Sequence, residues 1–207
     1  MRLVFASGNK GKIREAAEIL GDGIEILSPY DLGIDPEVEE NGLTLKENSI
    51  IKARHLYGLC GMDCFADDTG LEVDALGGAP GIHTARYAVD IARRDGLPEP
   101  GDHIFSANID ALLRELDKYP GAPRTARFRS VITLIINGEM HFFEGVFEGR
   151  IATGRSGCGG FGYDPVFISD EYPDGSVAEL PEDVKNAISH RGKALREMAR
   201  WLKQNSL

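Results

Sequence analysis

Cysteine, tryptophan and excess positive charge are all scarce in this chain. Of its 207 residues only 3 are cysteine and 1 is tryptophan. Cys60, Cys64 and Cys158 are odd in number, and Cys60 with Cys64 lacks the second ligand pair that a structural zinc site needs, so free thiols of a reducing compartment are expected. No apolar run approaches membrane-spanning length, and Met1 to Gly8 turns glycine-rich before the apolar stretch of a signal peptide develops. The expectation is a soluble, unprocessed, cytoplasmic protein. Lysine and arginine number 23 against 33 acidic residues, a formal charge of -10, which disfavours nucleic acid and anionic membranes as partners. The basic residues that are present must therefore act locally. With 42% hydrophobic residues and no repeat or low-complexity tract, residues 1–207 read as one continuous domain with a real core.

Glycine supplies most of the punctuation. Arg2 to Ala6 reads as a short buried strand, Ser7 to Lys12 as a loop, and Ile13, Ala16, Ala17 and Leu20 recur at helical spacing up to Gly21. A second strand is expected near Ile24 to Leu27, then an acidic loop, Glu37-Val38-Glu39-Glu40. Thr44-Leu45-Lys46-Glu47 fits a capping box for a helix running to about Leu59. Phe65-Ala66 leads into Asp67-Asp68-Thr69-Gly70, and Gly77 to Gly81 must be irregular backbone. From Tyr87 to Tyr119 the first half reads as loop, whereas Ile109, Leu112, Leu113 and Leu116 give the second half one helical face. Arg127 to Ile136 and Met140 to Phe147 flank Asn137-Gly138, a strong two-residue hairpin signal. Ala194, Leu195, Met198, Trp201 and Leu202 form the apolar stripe of a final helix. Parallel-type and hairpin elements together indicate an α/β fold with a mixed sheet.

Five segments carry residues suited to chemistry. The loop Ser7-Gly8-Asn9-Lys10-Gly11-Lys12 precedes a helix N-terminus, so backbone N–H groups and two lysines suit phosphate, although the spacing is not that of a Walker A loop. Glu39 and Glu40 on one loop and Asp67 and Asp68 at a strand end offer oxygen ligands that converge on a hard cation, magnesium by default. Gly157, Gly159 and Gly162 match the spacing of a dinucleotide fingerprint, but Tyr163-Asp164-Pro165 follows where a helix would have to start. That loop is better suited to bringing Phe161 and Tyr163 to a flat ligand. Lys185, Ser189, His190, Arg191 and Lys193 form a donor-rich patch at the start of the final helix; cations there oppose the helix dipole, which calls for a compensating anion or keto-bearing ligand.

Taken in order, Ser7-Gly8-Asn9-Lys10-Gly11-Lys12, Glu39-Glu40-Asn41-Gly42, Ala66-Asp67-Asp68-Thr69-Gly70-Leu71, Gly159-Gly160-Phe161-Gly162-Tyr163-Asp164-Pro165 and Ser189-His190-Arg191-Gly192 closely resemble the inosine triphosphate pyrophosphatase family of house-cleaning enzymes. The resemblance spans nearly the whole chain. It implies an elongated mixed β-sheet with flanking helices, two lobes around a central active-site cleft, and usually a homodimer. It also implies magnesium-dependent hydrolysis of ITP, dITP and XTP between the α- and β-phosphates. By position, Asp68 resembles the general base and a metal ligand, and Glu39 the other ligand. Ser7, Gly8, Asn9, Lys10, Gly11 and Lys12 match the triphosphate loop, and Thr69 a further substrate contact. Phe161, Gly162, Tyr163 and Asp164 match the segment that stacks on and holds the base, with Lys185, His190 and Arg191 completing its pocket. Val89 to Ser106 is longer than the family pattern leads one to expect, as a lid or dimer contact would be.

A donor set such as His190 and Arg191 favours the 6-keto oxygen of hypoxanthine and xanthine over the amino group of adenine, which would leave a buried donor unpaired. Two rival readings separate by simple criteria. A general nucleotide phosphohydrolase would release inorganic phosphate, and a non-catalytic nucleotide sensor would tolerate Asp68→Asn.

Overall fold

The computed structural model describes residues 1–21 and 23–205. In chain order its elements are β1 (Arg2–Phe5), α1 (Lys10–Leu20), β2 (Glu25–Leu27), α2 (Leu45–Cys60), β3 (Cys64–Val73), β4 (Pro80–Gly81), α3 (Tyr87–Asp95), α4 (Ile104–Leu116), β5 (Thr125–Ile136), β6 (Glu139–Ile151), β7 (Phe167–Ser169), α5 (Glu182–Ile188) and α6 (His190–Gln204). The strands pair in the order β2-β1-β3-β5-β6-β7, with β4 on β3, so the fold is mixed α/β. Among the described residues no helix is long and apolar enough to cross a membrane. The chain divides into two compact units, one of Met1–Thr69, Ser130–Val146 and Ser189–Leu207, the other of Gly70–Arg129 and Phe147–Ile188.

In the first unit β1 lies parallel to β2 and to β3, with Val4 opposite Leu27 and Cys64, and Phe5 opposite Phe65. Side chains alternate across a strand, so neighbours in sequence serve opposite faces of the sheet. Leu3, Phe5, Phe65, Ile132, Leu134 and Ile136 bury one face beneath α1 and α6, where Ala16, Leu20, Leu195, Met198 and Leu202 meet them. Val4, Cys64, Ala66 and Ile135 bury the other face under Ala53 and Leu56 of α2. Phe5 and Phe65 stack with ring centroids 4.4 Å apart. The helix α6 lies so close to β6 that a Cβ added at Gly145 would stand 2.0 Å from the His190 carbonyl oxygen and 2.7 Å from Ala194 N. Only glycine admits that approach.

In the second unit β4 is antiparallel to β3 and β7 antiparallel to β6. Its core joins Leu71, Val73, Ile91, Leu112, Phe128, Phe147, Phe167 and Tyr163 under α3 and α4. Arg127 ties the strands' polar side together through Asp74 and Glu148, both at 3.0 Å.

The expected hairpin forms around Asn137 (φ 51°) and Gly138 (φ 79°), and its strands run longer than expected at their outer ends. Residues 87–95, expected as loop, are helical. Tyr87, Ala88, Ile91 and Ala92 are buried at helical spacing and Gly96 closes the helix in the left-handed region, but a polar run through Arg93 and Arg94 masks that period. At Thr44 only half of the expected capping box is present. Thr44 Oγ1 accepts from Glu47 N at 3.1 Å, whereas Glu47 accepts from Leu43 N at 2.6 Å. Lys185 lies on α5, a separate helix from α6, so it is not part of the final helix's first turn as expected.

Gly145→Ala should therefore force α6 away from the sheet and destabilise the protein by about 1–3 kcal/mol, the usual penalty of overpacking. Urea unfolding measures it; an unchanged midpoint would show that α6 is held elsewhere.

Candidate active site

The strand alternation that builds the first unit's two cores also separates its two adjacent aspartates. Phe65 and Asp67 lie toward α1 and α6, while Ala66 and Asp68 lie toward α2. Asp67 and Asp68 therefore do not converge on one cation, contrary to the expectation from their adjacency.

Asp67 is buried, 2% exposed, and fully engaged. Its two oxygens accept from Lys12 Nζ at 2.9 and 3.0 Å, and one also accepts from Arg191 Nε at 2.9 Å. Arg191, itself buried, donates through Nη1 to Glu15 at 3.1 Å. Burial alone would raise the Asp67 carboxyl, but the charges of Lys12, Arg191 and Lys52 outweigh it and hold the group well below the carboxylate range. Burial in turn pushes the Lys12 ammonium down against the pull of Asp67, with Arg191 and Lys52 adding to the fall. For Arg191 the cation at a helix start is compensated from within the protein, by Asp67 and Glu15. The expected external anion is not needed there.

On the other face, Lys52 of α2 donates to Asp68 at 2.7 Å and pairs with Glu40 at 3.0 Å. A single ammonium thus gathers carboxylates from the strand and from the acidic loop. The loop is fixed by Asn48, one helical turn before Lys52, whose Oδ1 accepts from Gly42 N at 2.8 Å; a Cβ at Gly42 would meet that oxygen at 2.6 Å. Glu39, beside Glu40, is exposed. Burial raises the Asp68 carboxyl to about 6, opposed by Lys52 and assisted by Glu40 and Asp67. Lys52 is held above its ordinary value, because Asp68, Asp67 and Glu40 outweigh its burial. Among the described residues no three His, Cys, Asp or Glu side chains form a ready cage for a metal ion. The donors present are all oxygens, the set a hard cation takes, and magnesium needs only one or two carboxylates when phosphate and water complete its shell.

The Ser7–Lys12 segment is shorter as a loop than expected, since α1 begins at Lys10 with Asn9 as its N-cap. Asn9 Oδ1 accepts from Gly11 N at 2.9 Å and Lys12 N at 3.2 Å, and Ser7 Oγ accepts from Asn9 N at 3.2 Å. Two donors of the helix start are thus already occupied. Gly8 and Lys10 are exposed. Thr69 Oγ1 is buried without a hydrogen-bond partner among the described residues, an arrangement that is costly unless a ligand supplies an acceptor or donor.

In the second unit Gly159 to Pro165 is followed by a 3-10 turn at Asp164–Val166 and then β7, so no helix follows the glycines. Asp164 is buried; it accepts from Phe161 N at 2.8 Å and from Lys185 Nζ at 2.5 Å. Gly160 adopts φ 73° and leaves no room for a Cβ beside the Asp164 carboxylate. Tyr163 is a core residue whose hydroxyl donates to the Thr84 carbonyl at 3.0 Å. Phe161 is 55% exposed, with the Lys185 ammonium 4.6 Å from its ring centroid, and Gly162 follows at φ 63°. His190 opens α6 in the first unit. The three cysteines are free thiols.

Glu15 and Lys52 escaped the sequence reading. Lys52 had a signal: Asn48, Ser49 and Lys52 are polar at positions where α2 turns toward the sheet. Glu15 had none, because its partner Arg191 is 176 residues away.

Asp67 and Asp68 lie within β3 rather than at its end as expected, and their pairing with Lys12 and Lys52 on an α/β sheet is an arrangement suited to an enzyme that handles phosphate. The chain belongs to the Ham1 family, whose signature matches residues 3–201. It is 44% identical over 202 residues to the dITP/XTP pyrophosphatase of Christiangramia forsetii, covering 98% of this chain and 99% of the relative. It is 45% identical over 200 residues to the protein of that name from Thioalkalivibrio sulfidiphilus, covering 95% of each. Among solved structures, the HAM1 protein from Coxiella burnetii aligns with a TM-score of 0.87 at 36% identity, covering 99% of both chains. A nucleoside-triphosphatase / dITP/XTP pyrophosphatase from Mycobacterium abscessus aligns with a TM-score of 0.75 at 37% identity, covering 96% of this chain and 98% of that one.

Replacing Arg191 with Ala leaves Asp67 buried with one partner fewer, and should cost about 3–5 kcal/mol in urea unfolding. A loss below about 1 kcal/mol would place the network outside the fold's stability. Because the folded Asp67 carboxyl lies below its unfolded value, its contribution is complete above the ordinary carboxylate pKa of about 4 and is lost as pH falls toward the folded value. Acid unfolding should accordingly lose this pH-dependent component in Asp67→Asn.

Proposed function

We propose that this chain hydrolyses ITP, dITP and XTP to the nucleoside monophosphate and pyrophosphate, clearing deaminated purines from the nucleotide pool. The observation that carries the reading is full-length likeness to dITP/XTP pyrophosphatases, together with an Asp68 carboxyl set apart from the structural ion network. Asp68 and Glu39 would hold magnesium, which when bound would supply charge neutralisation on the phosphate oxygens. Asp68, raised toward neutrality, takes the proton of the attacking water. Lys52 holds Asp68 and keeps Glu40, next to Glu39, on the same side of the sheet. Ser7, Gly8, Asn9, Lys10, Gly11 and Lys12 hold the triphosphate, Lys12 also anchoring Asp67. The orphan Thr69 hydroxyl contacts substrate.

For the base, Phe161 offers the stacking face, with Gly162 and Tyr163 shaping its loop and Asp164 and Lys185 as polar contacts. His190 reads the 6-keto oxygen. Arg191 acts chiefly through Asp67, since its Nε and Nη1 are committed. We assign residues 1–207 to one functional domain, acting as a cytoplasmic homodimer.

With magnesium and each of ITP, XTP, dITP, ATP and GTP, the protein should release pyrophosphate, mainly from the keto analogues, and Asp68→Asn should lower turnover by about 10²–10⁴-fold. Inorganic phosphate as product, or equal turnover of ATP, would overturn the assignment. A hard cation binds the ionised carboxylate, and the Asp68 carboxyl protonates below about 6. Magnesium affinity should hence fall by up to about tenfold per pH unit below that point and level off above it, as calorimetric titration would report.

A further inference from the structure

Tyr30 is a large side chain that stands 58% exposed and yet lies against the phosphate loop. The topology puts it there. Because β1 and β2 are parallel neighbours, with Val4 opposite Leu27, the chain leaves both strands on the same edge, one into Ser7-Gly8-Asn9 and the other into Ser28-Pro29-Tyr30. In sheets of parallel strands that carboxyl edge is where ligands bind.

The turn carrying Tyr30 is rigid. Ser28 Oγ accepts from Tyr30 N at 3.2 Å, Asp31 accepts from Ser28 N at 2.9 Å, Pro29 is buried, and Gly33 closes the turn in the left-handed region. A Cβ built on Gly8 would stand 2.9 Å from Tyr30 Cε2 and 3.2 Å from its Oη. The backbone of Gly8 is not in the left-handed region, so it is the tyrosine edge, not the local conformation, that crowds a side chain here. Tyr30 Oη forms no hydrogen bond among the described residues, while Gly11 N and Lys12 N are already occupied by Asn9. Asn9 N, Gly11 N and Lys12 N are thus committed within the loop, and the Tyr30 hydroxyl is an uncommitted donor beside it.

We infer that Tyr30 is a further substrate-binding residue, its hydroxyl donating to a phosphate oxygen of the triphosphate at the Ser7–Lys12 loop. This rests on the triphosphate reading given above. Tyr30→Phe keeps the ring and removes only the donor. It should raise KM for dITP about tenfold, the worth of a hydrogen bond to a charged group, with kcat within about twofold and Tm unchanged. Calorimetry with inorganic tripolyphosphate should show the same loss of affinity without any turnover. Wild-type KM and tripolyphosphate affinity in Tyr30→Phe would overturn the inference, as would weakening seen in Tyr30→Ala alone, which would leave the ring as mere packing on Gly8. A wild-type protein that binds tripolyphosphate more tightly than Tyr30→Phe but releases no pyrophosphate would uphold Tyr30 and refute the assigned reaction.

Discussion

A β-strand sends successive side chains to opposite faces, and at Asp67-Asp68 this elementary constraint gives two identical neighbouring residues different lives. Asp67 turns to the face covered by α1 and α6 and is saturated by Lys12 and Arg191. Asp68 turns to the face covered by α2 and meets a lysine that it shares with the acidic loop. Neither environment works for the other residue. A carboxyl held far below its usual range is a poor base, and one raised by burial is a poor structural anchor at low pH.

The Asp67 side is where the first unit is knit together. Lys12 comes from α1, Asp67 from β3 and Arg191 from α6, and Glu15 closes the circuit one turn beyond Lys12. Buried charges of this kind contribute little over an apolar core, yet removing one member strands the rest, so the network acts more as a register pin than as a source of stability. It holds the middle of β3 against α1 and α6, and hence sets where its neighbours Asp68 and Thr69 stand. Close packing at Gly145 performs the same service for the start of α6.

What was legible in the sequence was what local periodicity and local turn chemistry encode. The opening strand and helix, the Asn137-Gly138 hairpin, the stripe of α6 and the family motifs were all visible that way. The helix α3 was hidden because its apolar pairs are interrupted by charged residues that belong to its exposed side. Lys185 was assigned to the wrong helix because a donor-rich run shows no break where Ser189 caps α6. The opposed roles of Asp67 and Asp68 were within reach of the alternation rule, given Phe65 and Ala66 before them, but their partners come from α1, α2 and α6. No spacing rule reports pairings so distant in the chain.

The most direct measurement is a pH titration of the metal-free protein followed by carboxyl 13C NMR, with Asp67 and Asp68 assigned by substitution. The account predicts that Asp68 titrates near 6 while Asp67 stays ionised through the range in which ordinary aspartates protonate. Two coincident transitions in the ordinary carboxylate range would contradict it.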